Sequence, residues 1–584
     1  MRSLPLVPAV LAAAVAACAS RGPAVPDGRH REEVRALEEE YLRERFGRFP
    51  EAGTRVGWPG TDHAAVTDPS PAAVAAWQAL ADRLLARARA VDARALAGTP
   101  EAVVLGLLRE TLEGGIARRP CRLELWDVSS FGGWQSSYAG LAEIQPASTP
   151  EAKEAAKGRL RALAGSVDRE IENLREGVRL GYVATRENVE RALAELDRLL
   201  ATPPGSWPYT RPGARADDPA LRGELAAIVE RELLPAAQRY RAYLATEYLG
   251  RARQKPGLLS LPDGEACYRG SVRSYVTLDV DPRAIHETGL RRIEAVHAAM
   301  RAVTQRAFGT ADVAAVLRRL REDPGLRFRD REELLDVTRA AVARAEAAAP
   351  RWFGRVPAAR VRVVEYPEFR RAGNPAASYT PDWSSGTLAG IFFINAFQPE
   401  RETRARVEST AFHETVPGHH FQIALALEHG GESRLGKYVW NSGFTEGWAL
   451  YGERLADEMG LFSDDLYRLG MLSSEAFRAA RLVVDSGLAV FGWPRQRAID
   501  YLVANAGLEP SFAASEVDRY AAAPGQATSY MLGALEIRRL RAEAEGALGA
   551  RFDVRAFHDA VLGDGAVSLP MLRERVARFV REGR

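Results

Sequence analysis

Apolar residues recur at helical spacing along most of this chain. Good helix formers fill the positions between them, so the pattern predicts helices over most of its length. The clearest predicted helices are Pro71 to Ala97, Glu151 to Leu180, Leu221 to Tyr248, Pro282 to Phe308, Glu332 to Ala349, Arg401 to Glu428 and Tyr530 to Leu548. The chain is therefore predicted to be mainly α.

Two short stretches have the pattern of strands instead. Val361 to Tyr366 alternates between apolar and polar residues, and Gly390 to Asn395 is an apolar run rich in strand formers. Both precede the predicted helix of Arg401 to Glu428. We therefore expect a small β-sheet next to that helix, either aligning an extended ligand along its edge or forming an ordinary buried hairpin.

Composition limits the domain organisation and the partners. The 584 residues are 46% hydrophobic and 27% charged, which is enough for a large core. We see no long linker and no repeat after residue 30, so residues 31–584 are predicted to be one large domain, which two lobes could make up.

The net charge is +2, and basic residues alternate with acidic ones along helical faces such as Arg31 to Arg45. This pattern does not predict a nucleic-acid partner.

Three of the nine histidines lie close together, at His413, His419 and His420. A helix advances about 100° per residue, so His419 would lie roughly 120° around a regular helix from His413. His420 returns to the face of His413 but lies roughly 10.5 Å further along the axis. Neither spacing suits a metal ion that needs both nitrogens within about 2.1 Å.

The two residues before His419 offer a solution. Pro417 cannot donate a helical hydrogen bond, and Gly418 tolerates unusual backbone angles. If they loop two residues out of the helix, His419 takes the place of a ligand one turn after His413, and His420 points elsewhere. We therefore expect His413 and His419, rather than His420, to bind a metal ion.

The third ligand is predicted to come from a following helix. Glu446 is the best acidic candidate, and Glu453 lies on the same helical face, where it could orient a ligand imidazole. Two imidazoles and one carboxylate suit zinc best, with one ion per chain. The other His-Glu pair, His286-Glu287, has no second histidine at ligand spacing and is predicted to be structural.

This arrangement predicts a hydrolytic mechanism. Zinc with three protein ligands keeps a position for water and lowers the pKa of that water to about 7. Glu414 would take the proton of this water as it attacks a peptide carbonyl, and would pass it to the leaving amine. Tyr530, and less directly Tyr379, are candidates to stabilise the oxyanion, although either could be an ordinary core tyrosine.

The motifs resemble those of the bacterial domain-of-unknown-function 885 family. The resemblance rests on His413 to Gln422 and Glu446 to Tyr451, and on three further segments, Asp263 to Glu287, Arg481 to Trp493 and Pro524 to Gly533. It implies a mainly α, zincin-like catalytic domain with a deep cleft and a small β-sheet beside the metal-binding helix. The chain departs from the family pattern at Ala489, where relatives commonly have histidine, which puts efficient turnover in doubt.

The amino terminus resembles a bacterial lipoprotein signal. Residues 1–17 carry a small basic start and an apolar stretch that is too short to span a membrane. Cys18 ends a segment similar to a lipobox and is predicted to be the lipidated first residue, followed by a flexible tether over residues 18–30. By resemblance, we expect a lipid anchor in the outer membrane facing the periplasm; the alternative is a plain signal peptide and a free periplasmic protein.

Only Cys121 and Cys267 remain once Cys18 is lipidated. An exported compartment would permit a disulfide between them, but the sequence does not show whether they meet. The sequence as a whole predicts an enzyme, a zinc metallopeptidase that hydrolyses peptides. The alternative is a catalytically impaired lipoprotein of zincin fold that acts as a binding or scaffold protein.

Overall fold

The computed structural model describes residues 28–366, 377–381, 389–429, 434–563 and 565–583. The predicted signal segment, Cys18 and most of the predicted tether lie outside these residues. The first helix begins at Gly28, so residues 28–30 belong to it rather than to the tether. None of the described helices is both long and apolar enough to cross a membrane.

The chain is mainly helical, as predicted. In its first half the α-helices are α1 (Gly28–Arg48), α2 (Pro50–Val56), α3 (Pro71–Ala90), α4 (Pro100–Ala117), α5 (Trp134–Ala142), α6 (Pro150–Leu180), α7 (Arg186–Leu200), α8 (Arg211–Arg215), α9 (Pro219–Ile228), α10 (Leu234–Tyr243), α11 (Gly264–Val276) and α12 (Pro282–Phe308). In its second half they are α13 (Val313–Glu322), α14 (Arg331–Ala348), α15 (Arg404–Glu414), α16 (His419–His429), α17 (Leu435–Tyr438), α18 (Ser442–Glu458), α19 (Asp465–Ala489), α20 (Arg495–Ala506), α21 (Pro510–Ala522), α22 (Ser529–Leu548), α23 (Val554–Leu562) and α24 (Leu569–Glu582).

Local signals explain where these helices begin and end. Helix α12 starts after Asp281, whose carboxylate accepts from the backbone N–H of Arg283 at 2.8 Å, and Pro282 occupies the first helical position. It ends at Gly309, which adopts a φ of 69° that favours glycine. Both ends agree with the sequence prediction.

The predicted helix of Leu221 to Tyr248 is more irregular than expected. Between α9 and α10, and again after α10, the chain forms π-helical turns at Val229–Leu233 and Leu244–Tyr248. Likewise, the helix predicted to reach Ala97 ends at Ala90, and a separate turn of 3-10 helix follows at Ala93–Leu96.

The strands form one small sheet of order β1-β3-β2, from β1 (Val361–Glu365), β2 (Ala377–Pro381) and β3 (Gly390–Ile394). The central strand β3 runs parallel to β1 and antiparallel to β2. Its burial alternates, with Gly390, Phe392 and Ile394 buried. The strand β2, which the sequence did not predict, packs against both α15 and α16.

The buried apolar residues form three clusters. One lies among α5–α10 and a second among α1, α3 and α4. The largest includes the sheet and lies mostly in the second half of the chain, with further residues from Cys121 onwards. At its centre, α19 is buried along most of its length and packs against α12, α15 and α20, while α18 packs against α22. Helices α15, α18 and α22 hold His413, Glu414, Glu446, Glu453 and Tyr530, while His419 begins α16 and Tyr379 lies on β2.

Candidate metal centre

The predicted ligand helix is broken where the sequence carries Pro417 and Gly418. The Pro-Gly pair predicts that two residues loop out, but the structure separates α15 from α16 by four residues, 415–418. The backbone N–H of Gly418 donates to the carbonyl of Phe412 at 3.0 Å, and that of Phe421 donates to Thr415 at 3.1 Å. The break is wider because Pro417 removes a donor and the chain folds tightly back over the end of α15.

Gly418 is required by this close approach. A Cβ atom at this position would lie 1.9 Å from the carbonyl oxygen of His413. From the next helix, the indole N–H of Trp448 donates to the carbonyl of Pro417 at 2.8 Å. The Glu-Gly-Trp segment therefore supports the break as well as carrying Glu446.

We expect Gly418→Ala to destabilise the protein by about 1–3 kcal/mol, because the backbone of the break must move to relieve the clash. Thermal unfolding with zinc-binding measurements tests this. Gly452→Ala is the matched control, since its Cβ would meet Pro417 Cγ at an ordinary 3.4 Å. Equal stability of the two variants would contradict the requirement for glycine at position 418.

The break brings three of the predicted ligands together. Glu446 Oε2 lies 3.4 Å from His419 Nε2 and 3.7 Å from His413 Nε2. The two imidazole rings are nearly perpendicular, with centroids 4.8 Å apart. Both histidines are buried and Glu446 is half-buried, and one candidate ligand atom from each residue lies within 4.8 Å of the others. The three side chains therefore converge on one point.

This donor set fits a zinc ion. Zinc bonds of about 2.0–2.2 Å in a tetrahedron place ligand atoms roughly 3.4 Å apart. The distance from His419 to Glu446 already has this value, and the one from His413 needs to shorten by only a few tenths of an ångström.

A second layer of residues holds His413. Its Nδ1 lies 2.9 Å from Glu453 Oε1, and this buried carboxylate also accepts from the hydroxyl of Ser409. Arg478 Nη2 lies 3.5 Å from the same carboxylate. With Nδ1–H donating to Glu453, the Nε2 atom of His413 is directed towards Glu446 and His419, where it can bind a metal ion once it is deprotonated.

The charges of neighbouring side chains favour the protonated form of His413 and the ionised form of Glu446. Burial alone would lower the pKa of His413, but the carboxylates of Glu446 and Glu453 outweigh it and raise this pKa to about 9. Burial alone would raise the pKa of Glu446, yet the two imidazoles hold it well below its usual range. The half-buried carboxylate of Glu446, which faces both imidazoles, and the buried carboxylate of Glu453 behind His413 therefore stabilise positive charge at this point.

His420 points away from the cluster. Its Nε2 lies 3.0 Å from the carbonyl of Ala359 and its Nδ1 lies 3.2 Å from the hydroxyl of Tyr379. Since a carbonyl only accepts, Nε2 carries the proton and Nδ1 accepts from Tyr379. Burial lowers the pKa of His420 to about 4, so the ring is neutral. Tyr379 is thereby engaged with His420.

The remaining predicted residues lie around the cluster. Glu414 is the last residue of α15, is half-buried, and forms no hydrogen bond or ion pair with any described residue. Tyr530 begins α22 and is half-buried. Its pKa is raised by burial and then by the negative charge of Glu446.

Two predictions concerned residues outside the cluster. His286 hydrogen-bonds Ser486 at 2.9 Å and packs against Trp493, so its contacts are with residues outside the candidate metal centre. Ala489 is buried in the main core at the end of α19.

The structure also joins Cys121 and Cys267 in a disulfide, which the sequence had left open.

Sequence reasoning missed Ser409 and Arg478 beside Glu453. Ser409 lies four residues before His413 on the same helical face, so helical spacing could have suggested it. Arg478 comes from α19 and had no local signal.

Residues 50–576 match the model of a family described as a bacterial protein of unknown function, DUF885. The fold is similar to that of a predicted lipoprotein from Colwellia psychrerythraea, with a TM-score of 0.87 and 24% identity over 95% of this chain and 99% of the other. A predicted lipoprotein of unknown function from Shewanella oneidensis has a TM-score of 0.73 and 16% identity over 93% and 99% of the two chains. The comparison with curated proteins finds no match. Since the family model spans most of its length, the chain belongs to the bacterial family DUF885.

Proposed function

We propose that this protein is a zinc-dependent peptidase. The observation that carries the proposal is the convergence of His413, His419 and Glu446 on one point. Glu414 follows His413 directly, and its carboxylate has no hydrogen bond or ion pair among the described residues. A zinc ion held there would supply Lewis-acid activation of water and of a peptide carbonyl. Two imidazoles and a carboxylate are the ligands of known zinc peptidases.

The protein's own groups would carry the proton transfers. Glu414 has no partner among the described residues, so its carboxylate is available to accept the proton of the attacking water. It would then donate this proton to the nitrogen of the departing amine. Glu453 would keep the ring of His413 in one orientation throughout.

Tyr530 is the better placed of the two candidate oxyanion donors. Its neighbour Ser529 contacts Ser442 with hydroxyl oxygens 2.8 Å apart, which places Tyr530 beside the helix of Glu446. The hydroxyl of Tyr379 donates to His420 instead. We therefore assign Tyr530 to the developing oxyanion and Tyr379 to positioning α16 against the sheet.

We propose that the protein acts in the cell envelope, anchored by a lipid on Cys18 and facing the periplasm from the outer membrane. Two solved structures of the same fold are described as predicted lipoproteins. The disulfide between Cys121 and Cys267 suits an oxidising compartment. Mass spectrometry of the protein from membranes would detect the lipid on Cys18.

Metal analysis and peptide hydrolysis test the enzymatic proposal directly. We expect about one zinc ion per chain, hydrolysis of members of a peptide library, loss of hydrolysis after chelation, and recovery when zinc returns. A zinc-loaded protein that leaves every peptide intact would instead favour the binding or scaffold protein.

A further inference from the structure

A buried guanidinium lies beside the candidate metal centre. The side chain of Arg481, on α19, is only 8% exposed. Its Cζ lies 4.1 Å from the centroid of the Phe477 ring and 4.4 Å from that of the Tyr530 ring. The two aromatic rings fix the guanidinium in place and keep it from bulk water.

One edge of this guanidinium has no hydrogen-bond partner in the part of the chain that the structure describes. Arg481 Nη2 donates to Glu516 at 2.9 Å and Nε donates to the hydroxyl of Tyr520 at 3.2 Å. Nη1 is buried and has no hydrogen-bond partner within the described residues. A buried cationic donor without an acceptor is costly, so its persistence calls for an explanation.

The guanidinium of Arg519, which shares Glu516 with Arg481, is held by several hydrogen bonds. Arg519 contacts both oxygens of Glu516, at 3.1 and 3.0 Å, and donates from Nη1 to Gln526 at 2.6 Å. Asp485 is the other nearby acid, and its carboxylate accepts from the backbone N–H of Gly525. Burial raises the pKa of Asp485 to about 7, which weakens its charge. Arg481 Nη1 is therefore the donor left for an added anionic acceptor.

Helix packing joins this donor to the metal centre. Ser529 contacts Ser442, and a Cβ on Gly447 would lie 2.6 Å from the Cα of Gly533. These two contacts bracket Glu446 on α18 and Tyr530 on α22. Tyr530 therefore interacts with both groups, stacking on the guanidinium of Arg481 and facing the negative charge of the candidate ligand Glu446.

We propose that Arg481 Nη1 binds the α-carboxylate at the carboxyl terminus of a peptide, so that the enzyme removes residues from free carboxyl ends. A carboxylate is the acceptor that a guanidinium recognises best, and a shielded site strengthens the bond. This inference rests on the proposed peptidase function. It adds the class of substrate, which is a peptide with an unblocked carboxyl terminus.

The test compares two N-acetylated peptides of one sequence, one ending in a free acid and the other in an amide. With the zinc-loaded wild type, we expect kcat/KM to be at least about tenfold higher for the acid, with product analysis showing release from the carboxyl end. Equal rates for the two peptides, or internal cleavage of both, would overturn the inference and leave the peptidase intact.

Binding provides a readout that does not depend on turnover. Calorimetry with Glu414→Gln should show the acid binding at least about tenfold more tightly than the amide. If the wild type hydrolyses neither peptide, this measurement still decides the carboxylate site, while the peptidase proposal fails. Equal affinities would overturn the carboxylate site.

Variants assign the preference to Arg481. Arg481→Lys keeps the charge but loses the planar fork, so the preference for the acid should fall several-fold in both measurements. Arg539→Gln, which removes an exposed arginine of α22, is the matched control and should keep it. A full preference in a folded Arg481→Lys and in a folded Arg481→Met would overturn the assignment. If neither variant folds, the acid and amide comparison on the wild type decides.

Discussion

Replacing Glu414 with Gln should lower kcat for peptide hydrolysis by about 10²–10⁴-fold while zinc content stays unchanged. The amide keeps the shape of the side chain but cannot accept the proton of the attacking water. Zinc should remain because Glu414 is not among the three side chains that converge on the proposed site. Steady-state kinetics with metal analysis of the same samples would measure both effects.

The control for this substitution is Glu543→Gln, which removes an exposed carboxylate paired with Arg539. It should keep both zinc and activity, because an exposed ion pair contributes little. Hydrolysis by Glu414→Gln at the wild-type rate would show that another group acts as the base. Loss of zinc from this variant would show that Glu414 is instead a ligand.

Single substitutions of the proposed ligands should abolish zinc binding. His413→Ala, His419→Ala and Glu446→Ala each remove one of three protein ligands, so we expect zinc to fall from about one per chain to near zero. His420→Ala should keep its zinc because both ring nitrogens of His420 face other groups. Elemental analysis of the purified variants, with circular dichroism to confirm folding, would measure this.

Glu453→Gln extends this series to the second layer. It weakens the acceptor for His413 Nδ1, so zinc affinity should fall by about 10–100-fold rather than vanish. Zinc lost with His420→Ala and kept with His419→Ala would contradict the break geometry and the ligand set together. Equal zinc affinity in Glu453→Gln and the wild type would remove Glu453 from the site.

The likeness to two solved structures at 24% and 16% identity establishes the fold alone. The chemistry proposed for this family member therefore depends on the side chains of this chain. Ala489 is one such side chain. Relatives commonly have histidine at this position, and in this chain the alanine is buried in the main core at the end of α19.

Much of the helical architecture followed from local signals. The ends of α12 were predicted because Asp281 and Gly309 act on the nearest backbone groups, within one turn. The strand Ala377–Pro381 was missed because its five residues carry no clear alternation and it is specified by pairing with β3. The length of the break before His419 was also underestimated, since packing over α15 decides it.

The mainly α class, the position of most helices and the candidates His413, Glu414, His419 and Glu446 could be read from the order of residues alone. These features depend on residues within a few positions of one another, whose spacing along a helix is set by backbone geometry. Contacts across helices came from the fold: it showed which ligand imidazole Glu453 orients, that Cys121 meets Cys267, and that Arg481 stacks on Tyr530. Those contacts join residues separated by 40 or more positions, and they depend on how whole helices pack rather than on any pattern along the chain.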